Sequence, residues 1–438
     1  MCIEKMEKQM SEKDKNRAVE NMNTSVKKGL DINVKFFITS CIIIFALMCL
    51  VYGLTFIIPS GEYARVLDEN GNTIIDTTKG FSYIDGGISF VKWILSPILV
   101  LGAEGSGTII TIIGFLLVVG GLFNVLDKCG LMKRILNVIV NKFSKNRYKL
   151  LSITVLFFML MGSFLGSFEE CVPLVPIVVA LSVAMGWDAL TGLGMSILSA
   201  GCGFAAGVCN PFTVGVAQGL AGLPLFSGVW YRFIGFIVIY LILLTFIYRY
   251  AKKVEKPLEN LVNADNISKA TPIEKSPIKL LTFFWDGLSS VLPAILMILM
   301  ASSIKYTLEE AKVLDTILYM AVDVAGSLPK WAVILFIYLI VLIMNFFISS
   351  GSAKAFLLMP LIVPIAQIFG ISAQLCVMAF AFGDGFSNVF YPTNPVLLIS
   401  LGLANVSYGK WAKWTWKFQT VNLLITSLLL LVGLYIGY

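Results

Sequence analysis

Two asparagine–proline pairs inside long apolar runs carry the first chemical signal in this sequence. They are Asn210-Pro211 and Asn394-Pro395. Proline lacks a backbone donor and clashes with the preceding turn, so each pair should break its helix. Backbone groups freed at membrane depth are tolerated where they line a cavity or bind something, and the restarting helix offers a positive dipole end. The two breaks together therefore predict a site for an anionic group such as a carboxylate.

Two polar clusters in neighbouring apolar runs supply further groups for such a site. Glu169 and Glu170 are adjacent carboxylates, which are costly at membrane depth and usually functional there. They suit a substrate ammonium or guanidinium, or coupling protons, while a salt bridge with Lys354 is the structural alternative. Asp384 is a further ionisable candidate, with a solvated interior residue as its alternative. The ion-coupling candidates are thus Glu169, Glu170, Asp384 and Lys354, and the other polar residues of the clusters are Ser167, Ser349, Ser350, Gly351 and Ser352.

Composition shows that membrane helices must hold these groups. Of 438 residues, 58% are hydrophobic and 13% are charged, with a mean hydropathy of +0.86, which excludes a soluble globular domain. The apolar runs are long and continuous, so they predict an all-α polytopic membrane protein in contact with the lipid bilayer. The net charge of +7 lies in short connecting segments, so it indicates topology and not a nucleic-acid partner.

Several classes of chemistry are excluded by missing residues and motifs. The sequence has no histidine, and its eight cysteines are scattered without CxxC spacing. No metal site, disulfide framework or cofactor is therefore expected. Because HExxH, GxSxG and P-loop motifs are also missing, neither an enzyme nor an ATP-driven pump is expected.

Basic residues set the predicted orientation in the cytoplasmic (inner) membrane. Segments 1–35, 127–149, 249–279 and 404–417 contain 25 of the 33 Lys and Arg residues, which places these segments inside. The N-terminus is then cytoplasmic and the C-terminus extracellular, with crossings at 36–58, 107–126, 187–220, 230–251, 280–303, 371–403 and 417–437. The apolar stretches 150–185 and 331–367 must each begin and end on one side, which predicts re-entrant hairpins. Trp411, Trp414 and Trp416 lie beside lysines and predict an interfacial belt.

The same order of parts recurs in two halves, which predicts inverted repeats. Gly201 and Gly385 each precede an asparagine of the broken crossings by nine residues. The hairpins start on opposite sides, a pattern typical of secondary transporters. The predicted organisation is a cytoplasmic tail (1–35), a first helix with an extracellular segment (36–106), repeat 1 (107–251, with hairpin 150–185 and broken helix 187–220), a cytoplasmic linker (252–279) and repeat 2 (280–438, with hairpin 331–367 and broken helix 371–403).

The run GSFEECVPLVPIV and the residues after it, within 163–228, resemble the YfcC branch of the DcuC family. These are the C4-dicarboxylate anaerobic carriers of the ion transporter superfamily, and the resemblance covers nearly the whole chain after the tail. It implies scaffold and transport domains, an elevator-like mechanism and a homodimer. In that superfamily, substrate binds between hairpin tips and broken helices. By position, this implies the substrate-binding residues Ser167, Glu169, Glu170, Asn210, Pro211, Thr213, Ser349, Ser350, Gly351, Ser352, Thr393, Asn394 and Pro395.

The charges favour one substrate class among those that the resemblance implies. The branch is described as candidate basic amino acid antiporters, whereas the family name indicates dicarboxylates. Two Glu at one tip, a single Lys opposite and no Arg at membrane depth fit a cationic substrate better than a dianion. We therefore expect an exchanger of small carboxylate-bearing metabolites, foremost amino acids such as arginine or ornithine. The alternatives are a C4-dicarboxylate or short-chain carboxylate transporter and, after that, a channel. The Ser-Asn-Thr signature of sodium-coupled dicarboxylate members is missing at both tips, which counts against sodium coupling.

Overall fold

The computed structural model of the protein describes residues 34–67, 73–75, 80–103, 106–131, 134, 146–255, 276–325 and 328–438. These residues form a predominantly helical fold with four short strands. The predicted cytoplasmic tail, apart from its last two residues, lies outside the described residues. So does most of the predicted linker, at 256–275.

The N-terminal part contains four helices and a small antiparallel segment. The helices are α1 (Val34–Ile57), α2 (Phe90–Ile94), α3 (Ser96–Leu99) and α4 (Ser106–Lys128); the strands are β1 (Gly61–Tyr63), β2 (Arg65–Leu67), β3 (Thr73–Ile75) and β4 (Phe81–Tyr83). β1 pairs with β4, with Gly61 opposite Tyr83, and β2 pairs with β3. Arg65 ties this segment to the second half, because its Nη2 donates to both carboxylate oxygens of Asp315, at 2.8 and 3.0 Å.

The first hairpin and the first broken helix follow. Hairpin 1 consists of α5 (Arg147–Leu160), a π-helical turn (Met161–Leu165), a 3₁₀ turn (Glu169–Leu174) and α6 (Val175–Ala184). Broken helix 1 consists of α7 (Ala189–Leu193), a π-helical turn (Gly194–Leu198), α8 (Ser199–Ala206), a second π-helical turn (Pro211–Gly215) and α9 (Val216–Leu220), and α10 (Val229–Val254) follows it. Gly166 ends the first arm of hairpin 1 with φ of +69°, and Gly207 ends the first part of broken helix 1 with φ of +49°. Both have a left-handed conformation that favours glycine.

The second half repeats this order after three further helices, α11 (Pro277–Ser290), α12 (Leu292–Glu310) and α13 (Leu314–Ala325). Hairpin 2 consists of α14 (Lys330–Phe347) and α15 (Gly351–Ile368), and broken helix 2 of α16 (Ala373–Asn388) and α17 (Pro395–Leu403). The last helix is α18 (Tyr408–Ile436). Its first turn is capped by Ser407, whose hydroxyl accepts from the Lys410 N–H at 3.4 Å.

Two predicted crossings have different bounds in the structure. The crossing predicted at 280–303 is divided between α11 and α12, because Pro293 suits the first turn of a new helix and lacks the donor needed to continue the old one. The last crossing begins at Tyr408 and not at 417, because Ser407 caps it there.

Within the described residues, six helical segments are long and apolar enough to cross a membrane: Arg147–Leu165, Ala189–Leu220, Val229–Val254, Lys330–Phe347, Gly351–Ile368 and Tyr408–Ile436. Three of them are arms of the two hairpins. Length alone therefore does not distinguish re-entrant arms from crossing arms, and the sidedness of the hairpins stays a prediction.

Both hairpins use their arms in the same way. The first arm packs on the first part of its own broken helix, α5 on α8 and α14 on α16. The second part of each hairpin contacts the other broken helix: the 3₁₀ turn of hairpin 1 contacts α17, and α15 contacts α9. This crossed arrangement brings both hairpin tips and both helix breaks into one region of the molecule.

Candidate functional site

The first break, between Gly207 and Pro211, is capped by Asn210. The backbone N–H groups of Phe212 and Thr213 donate to Asn210 Oδ1 at 2.9 and 3.3 Å. Asn210 is fully buried, yet its Nδ2 has no hydrogen-bond partner among the described residues. The buried hydroxyl of Thr213 is likewise without a partner in the described ranges. Break 1 therefore presents an amide donor and a hydroxyl at the start of a half-helix.

The second break, between Val389 and Pro395, has the same cap and a more complete network. The N–H groups of Val396 and Leu397 donate to Asn394 Oδ1 at 2.9 and 3.2 Å. In contrast to Asn210, Asn394 also uses its amide nitrogen, which donates to Asn388 Oδ1 at 2.9 Å. The amide of break 2 is therefore committed to the protein itself.

Both hairpin tips lie against break 1 at distances that only glycine permits. A Cβ added to Gly166 would lie 2.8 Å from Cδ2 of Phe212, beside Asn210. A Cβ added to Gly351 would lie 2.5 Å from Cγ2 of Thr213 and 2.7 Å from Oδ2 of Asp384. Hairpin 2 therefore closes over break 1 and over the first part of broken helix 2 at the same time.

Lys354 is fully buried and pairs with Asp384. Its Nζ donates to Asp384 Oδ1 at 2.6 Å and also to Asn345 Oδ1. A salt bridge between Lys354 and the glutamate pair, the structural alternative raised from the sequence, is therefore wrong in this conformation. Asp384 is fully buried as well, so it is not a solvated interior residue.

Asn345 holds this ion pair in place. The two N–H groups of its Nδ2 face three acceptors within hydrogen-bond distance: the backbone carbonyl of Asp384 at 3.0 Å, Ser387 Oγ at 2.6 Å and Asn388 Oδ1 at 2.9 Å. Because the amide nitrogen is fully used on broken helix 2, the amide oxygen must face Lys354.

The glutamate pair lies at the start of the 3₁₀ turn in hairpin 1. Glu169 is partly buried and Glu170 is exposed. Within the described part of the chain, neither glutamate forms an ion pair. The tip of hairpin 1 therefore carries an excess of negative charge.

Arg232 is a buried arginine beside break 1 that the predicted site does not include. It is the fourth residue of α10 and is fully buried. Its Nε and Nη2 donate to the Val208 carbonyl of break 1 at 3.3 and 3.2 Å, and its Nη1 donates to the Tyr438 hydroxyl at 3.1 Å. Sequence reasoning counted Arg232 with the loop charges that set topology, because it lies at the very start of an apolar run.

Trp411 corrects the predicted tryptophan belt. It is the fourth residue of α18 and is fully buried, and its Nε1 donates to the Val389 carbonyl of break 2 at 2.9 Å. Trp416, which is 55% exposed, keeps the character expected of an interfacial residue. Trp411 is instead the counterpart of Arg232, since each caps a carbonyl at the break that precedes its helix.

The predicted substrate-binding residues fall into two groups by exposure. Those at the hairpin tips are partly or largely accessible, and those at the breaks are mostly buried. The first group is Ser167, Glu169, Glu170, Ser349, Ser350, Gly351 and Ser352; the buried group is Asn210, Thr213, Thr393, Asn394 and Pro395, while Pro211 is exposed. The Thr393 hydroxyl has no hydrogen-bond partner within the described ranges.

Sequence reasoning missed the residues that join the hairpins to the breaks. Ser163 Oγ accepts from the Val208 N–H, and the Ser163 carbonyl accepts from the Cys209 N–H, each at 3.1 Å. Ser163 and Asn345 lie four residues before Ser167 and Ser349, which is one helical turn before each tip. This matched spacing is the signal that identifies them.

The surface hollows of the structure lie away from this region. One is lined by Leu244, Thr245, Tyr248, Arg249, Lys252 and Lys253 on the outer face of α10. Another is lined by Phe157, Leu160, Met161, Phe164 and Leu165 on hairpin 1. Neither is lined by residues of the two breaks.

Comparison with known proteins identifies the family to which this chain belongs. The model described as "DcuC: C4-dicarboxylate anaerobic carrier" matches residues 37–281 and 273–435. A relative from Escherichia coli K12, named "Putative basic amino acid antiporter YfcC", is 26% identical over 399 residues, covering 76% of this chain and 79% of that protein. An uncharacterized protein from Haemophilus influenzae is 23% identical over 487 residues, covering 89% and 95%.

Two solved transporter structures are also similar in part. The YdaH transporter of Alcanivorax borkumensis matches with a TM-score of 0.45 and 14% identity, covering 92% of this chain and 98% of that one. MtrF of Neisseria gonorrhoeae, described with a class of antimetabolite efflux pumps, matches with a TM-score of 0.42 and 14% identity, covering 95% and 98%.

Proposed function

The chain belongs to the DcuC family of C4-dicarboxylate anaerobic carriers and is a transporter, and from that premise we propose that it is an antiporter for basic amino acids. Arginine and ornithine are the proposed substrates, exchanged across the cytoplasmic membrane. Exchange or an ion gradient supplies the energy.

The observation that carries this proposal is the distribution of charge around the breaks. The only lysine of the hairpin tips, Lys354, is neutralised by Asp384 at 2.6 Å. Glu169 and Glu170 are left without an ion pair in the described part of the chain. Two carboxylates with no counter-charge favour a guanidinium or ammonium ligand, because charge-assisted hydrogen bonds are about twice as strong as neutral ones.

The substrate carboxylate has a complementary place at break 1. The half-helix that starts at Pro211 directs its N–H groups and positive dipole end into this region. Asn210 Nδ2 and the Thr213 hydroxyl, both buried and without partners in the described ranges, are further donors. An amino acid with its carboxylate at break 1 and its cationic side chain at the tip of hairpin 1 satisfies both sets of groups.

We also propose that the two halves act as inverted repeats in an elevator-like homodimer, with a cytoplasmic N-terminus and an extracellular C-terminus. The crossed contacts support one moving unit, because each hairpin is packed on both broken helices. On this proposal the hairpins and broken helices move together, while α1, α4, α11 and α12 form the scaffold.

Exchange in proteoliposomes tests the substrate. Uptake of labelled arginine is measured into vesicles preloaded with arginine, ornithine, aspartate, succinate or buffer alone, for wild type, Glu169→Gln and Glu170→Gln. We expect internal arginine or ornithine to accelerate uptake in a saturable manner, and at least one substitution to abolish it. Glu310→Gln is the matched control, because Glu310 pairs with Lys92 far from the breaks in sequence and outside the network described above. Arginine that never enters under any preload contradicts the proposal.

A C4-dicarboxylate is the second candidate, and Arg232 is the observation in its favour. A buried guanidinium at break 1 adds positive charge where a second carboxylate would bind. Labelled succinate in the same vesicles distinguishes the two: succinate–succinate exchange that survives Glu169→Gln and Glu170→Gln supports the dicarboxylate. Conductance without counter-substrate acceleration supports a channel.

A further inference from the structure

Lys354 lies in a cradle formed by Asp384 and Asn345, and the oxygen ligands of this cradle are those of a cation site. Its Nζ is held by a carboxylate oxygen of Asp384 at 2.6 Å and by the amide oxygen of Asn345. Carboxylate and amide oxygens are the ligands that small hard cations take in proteins. All three residues are at most 1% exposed.

The cradle joins three separate helices at the point where hairpin 2 closes. Asn345 lies near the end of α14, Lys354 in the first turn of α15 and Asp384 in α16. The ammonium therefore bridges both arms of the hairpin to the broken helix. Asn345 is fixed from behind because the two N–H groups of its Nδ2 face three acceptors on broken helix 2, which aims its oxygen at Nζ. Ligands oriented in this way by a second layer of hydrogen bonds are typical of cation sites.

One cradle oxygen remains unused. Asp384 Oδ2 is fully buried and has no hydrogen-bond partner in the described part of the chain. It lies beside the backbone of Gly351, where a Cβ would approach it to 2.7 Å. An ammonium on a side-chain stem reaches this carboxylate through one oxygen, whereas a free cation can engage both oxygens of a carboxylate.

We propose that the Lys354 ammonium is a tethered cation: it permanently fills the cation site between hairpin 2 and broken helix 2, so closure needs no soluble cation there. Removal of the side chain opens the same cradle to sodium or to a small alkylammonium ion. The transport part of this inference rests on the proposed function, whereas cation binding itself can be measured without any substrate.

Thermal unfolding of the purified protein is the first test. Wild type, Lys354→Ala and Lys354→Ala/Asp384→Asn are titrated with sodium chloride or methylammonium chloride against choline chloride at constant ionic strength. We expect the melting temperature of Lys354→Ala to rise with sodium or methylammonium as mass action requires, while wild type and the double variant do not respond. An equal rise in wild type, or no rise in Lys354→Ala with either cation, overturns the proposal.

Transport with and without sodium is the second test. We expect Lys354→Ala to lose about tenfold or more of its uptake in choline, because an unpaired buried carboxylate disfavours the closed state, and to regain uptake in sodium. If no labelled substrate is transported even by wild type, the proposed function fails while the thermal test still decides the cation site. If Lys354→Ala does not fold, Lys354→Ser, which also removes the side chain that fills the site, undergoes the same titrations, and indifference of that variant to both cations overturns the proposal equally.

Discussion

The two breaks are constructed alike but completed differently. Each restarts at a proline whose preceding asparagine accepts two backbone N–H groups, and each has a carbonyl capped by the fourth residue of the following helix. That residue is Arg232 at break 1 and Trp411 at break 2. The common geometry follows from the common Asn-Pro sequence, whereas the different caps show that the two sites have diverged in charge.

The difference extends to the polar groups around each break. Ten residues before Asn394 stands Asp384, and ten before Asn210 stands Ala200. Five residues after Ser349 stands Lys354, and the same offset from Ser167 gives the apolar Val172. Break 2 therefore has an internal ion pair and an amide network, while Asn210 Nδ2 and the Thr213 hydroxyl at break 1 lack partners among the described residues. We interpret break 2 as the fixed framework and break 1 as the part that meets the ligand.

The largest expected effect is the loss of the framework ion pair. Asp384→Asn leaves the Lys354 ammonium buried without a counter-charge, which should lower the free energy of unfolding by about 3–5 kcal/mol. Denaturant unfolding in mixed micelles measures this change. Lys354→Met/Asp384→Leu should recover most of the loss, because no buried charge remains. A loss below about 1 kcal/mol for Asp384→Asn, the size expected of an exposed pair, contradicts the framework interpretation.

A smaller effect is expected where hairpin 2 meets break 1. Gly351→Ala places a Cβ 2.5 Å from Thr213 and should cost about 1–3 kcal/mol as overpacking, with uptake reduced because the hairpin cannot close. Gly219→Ala is the control, since nothing lies within 4 Å of a Cβ there. It should be neutral or stabilise α9 by up to about 1 kcal/mol. Equal uptake by the two variants argues against closure at Gly351.

Substitutions of the two asparagines should affect stability and transport in different orders. Asn210→Ala and Asn394→Ala each lose a helix cap, about 1 kcal/mol. Asn394→Ala also loses the hydrogen bond to Asn388, about 0.6 kcal/mol more within a membrane. The loss of transport should follow the opposite order, because Asn210, unlike Asn394, has an amide donor without a partner among the described residues. Asn210→Ser keeps a capping oxygen without adding a buried charge and removes the amide donor, so it should lower uptake at nearly unchanged unfolding free energy. Normal uptake by Asn210→Ser removes Asn210 from the site.

The smallest effect on transport is expected at the neutral cap of break 2. Trp411→Phe removes the hydrogen bond to Val389 and leaves a cavity at a fully buried position, so it should lower the free energy of unfolding by about 1–3 kcal/mol, with exchange kinetics nearly unchanged. Trp416→Phe, at an exposed position of the same helix, is the matched control and should change neither the free energy of unfolding nor the exchange kinetics. A large loss of exchange in Trp411→Phe alone indicates that break 2 also contacts the ligand.

Local signals were sufficient to predict most of the helices, although not the four short strands. Apolar runs long enough for a membrane predicted an all-helical protein, and Asn-Pro predicted both breaks, because proline ends a helix and asparagine caps the next whatever surrounds them. The predicted helix bounds were less accurate where the capping residue lies outside the apolar run, as with Ser407 before α18. The family was evident from the run after Gly166 and is confirmed by the match over 37–281 and 273–435.

The sequence by itself thus determined the class of protein, its helices and the residues at which they break, since these depend on hydropathy and on the backbone chemistry of single residues. Only the tertiary structure decided which charges meet. The sequence allowed Lys354 to pair with Glu169 or with Asp384. It also allowed Arg232 to lie in a loop or to be buried as a cap. Ion pairs and buried hydrogen bonds join residues far apart in the chain. Their choice depends on how the hairpins cross over the broken helices, and no local pattern encodes that arrangement.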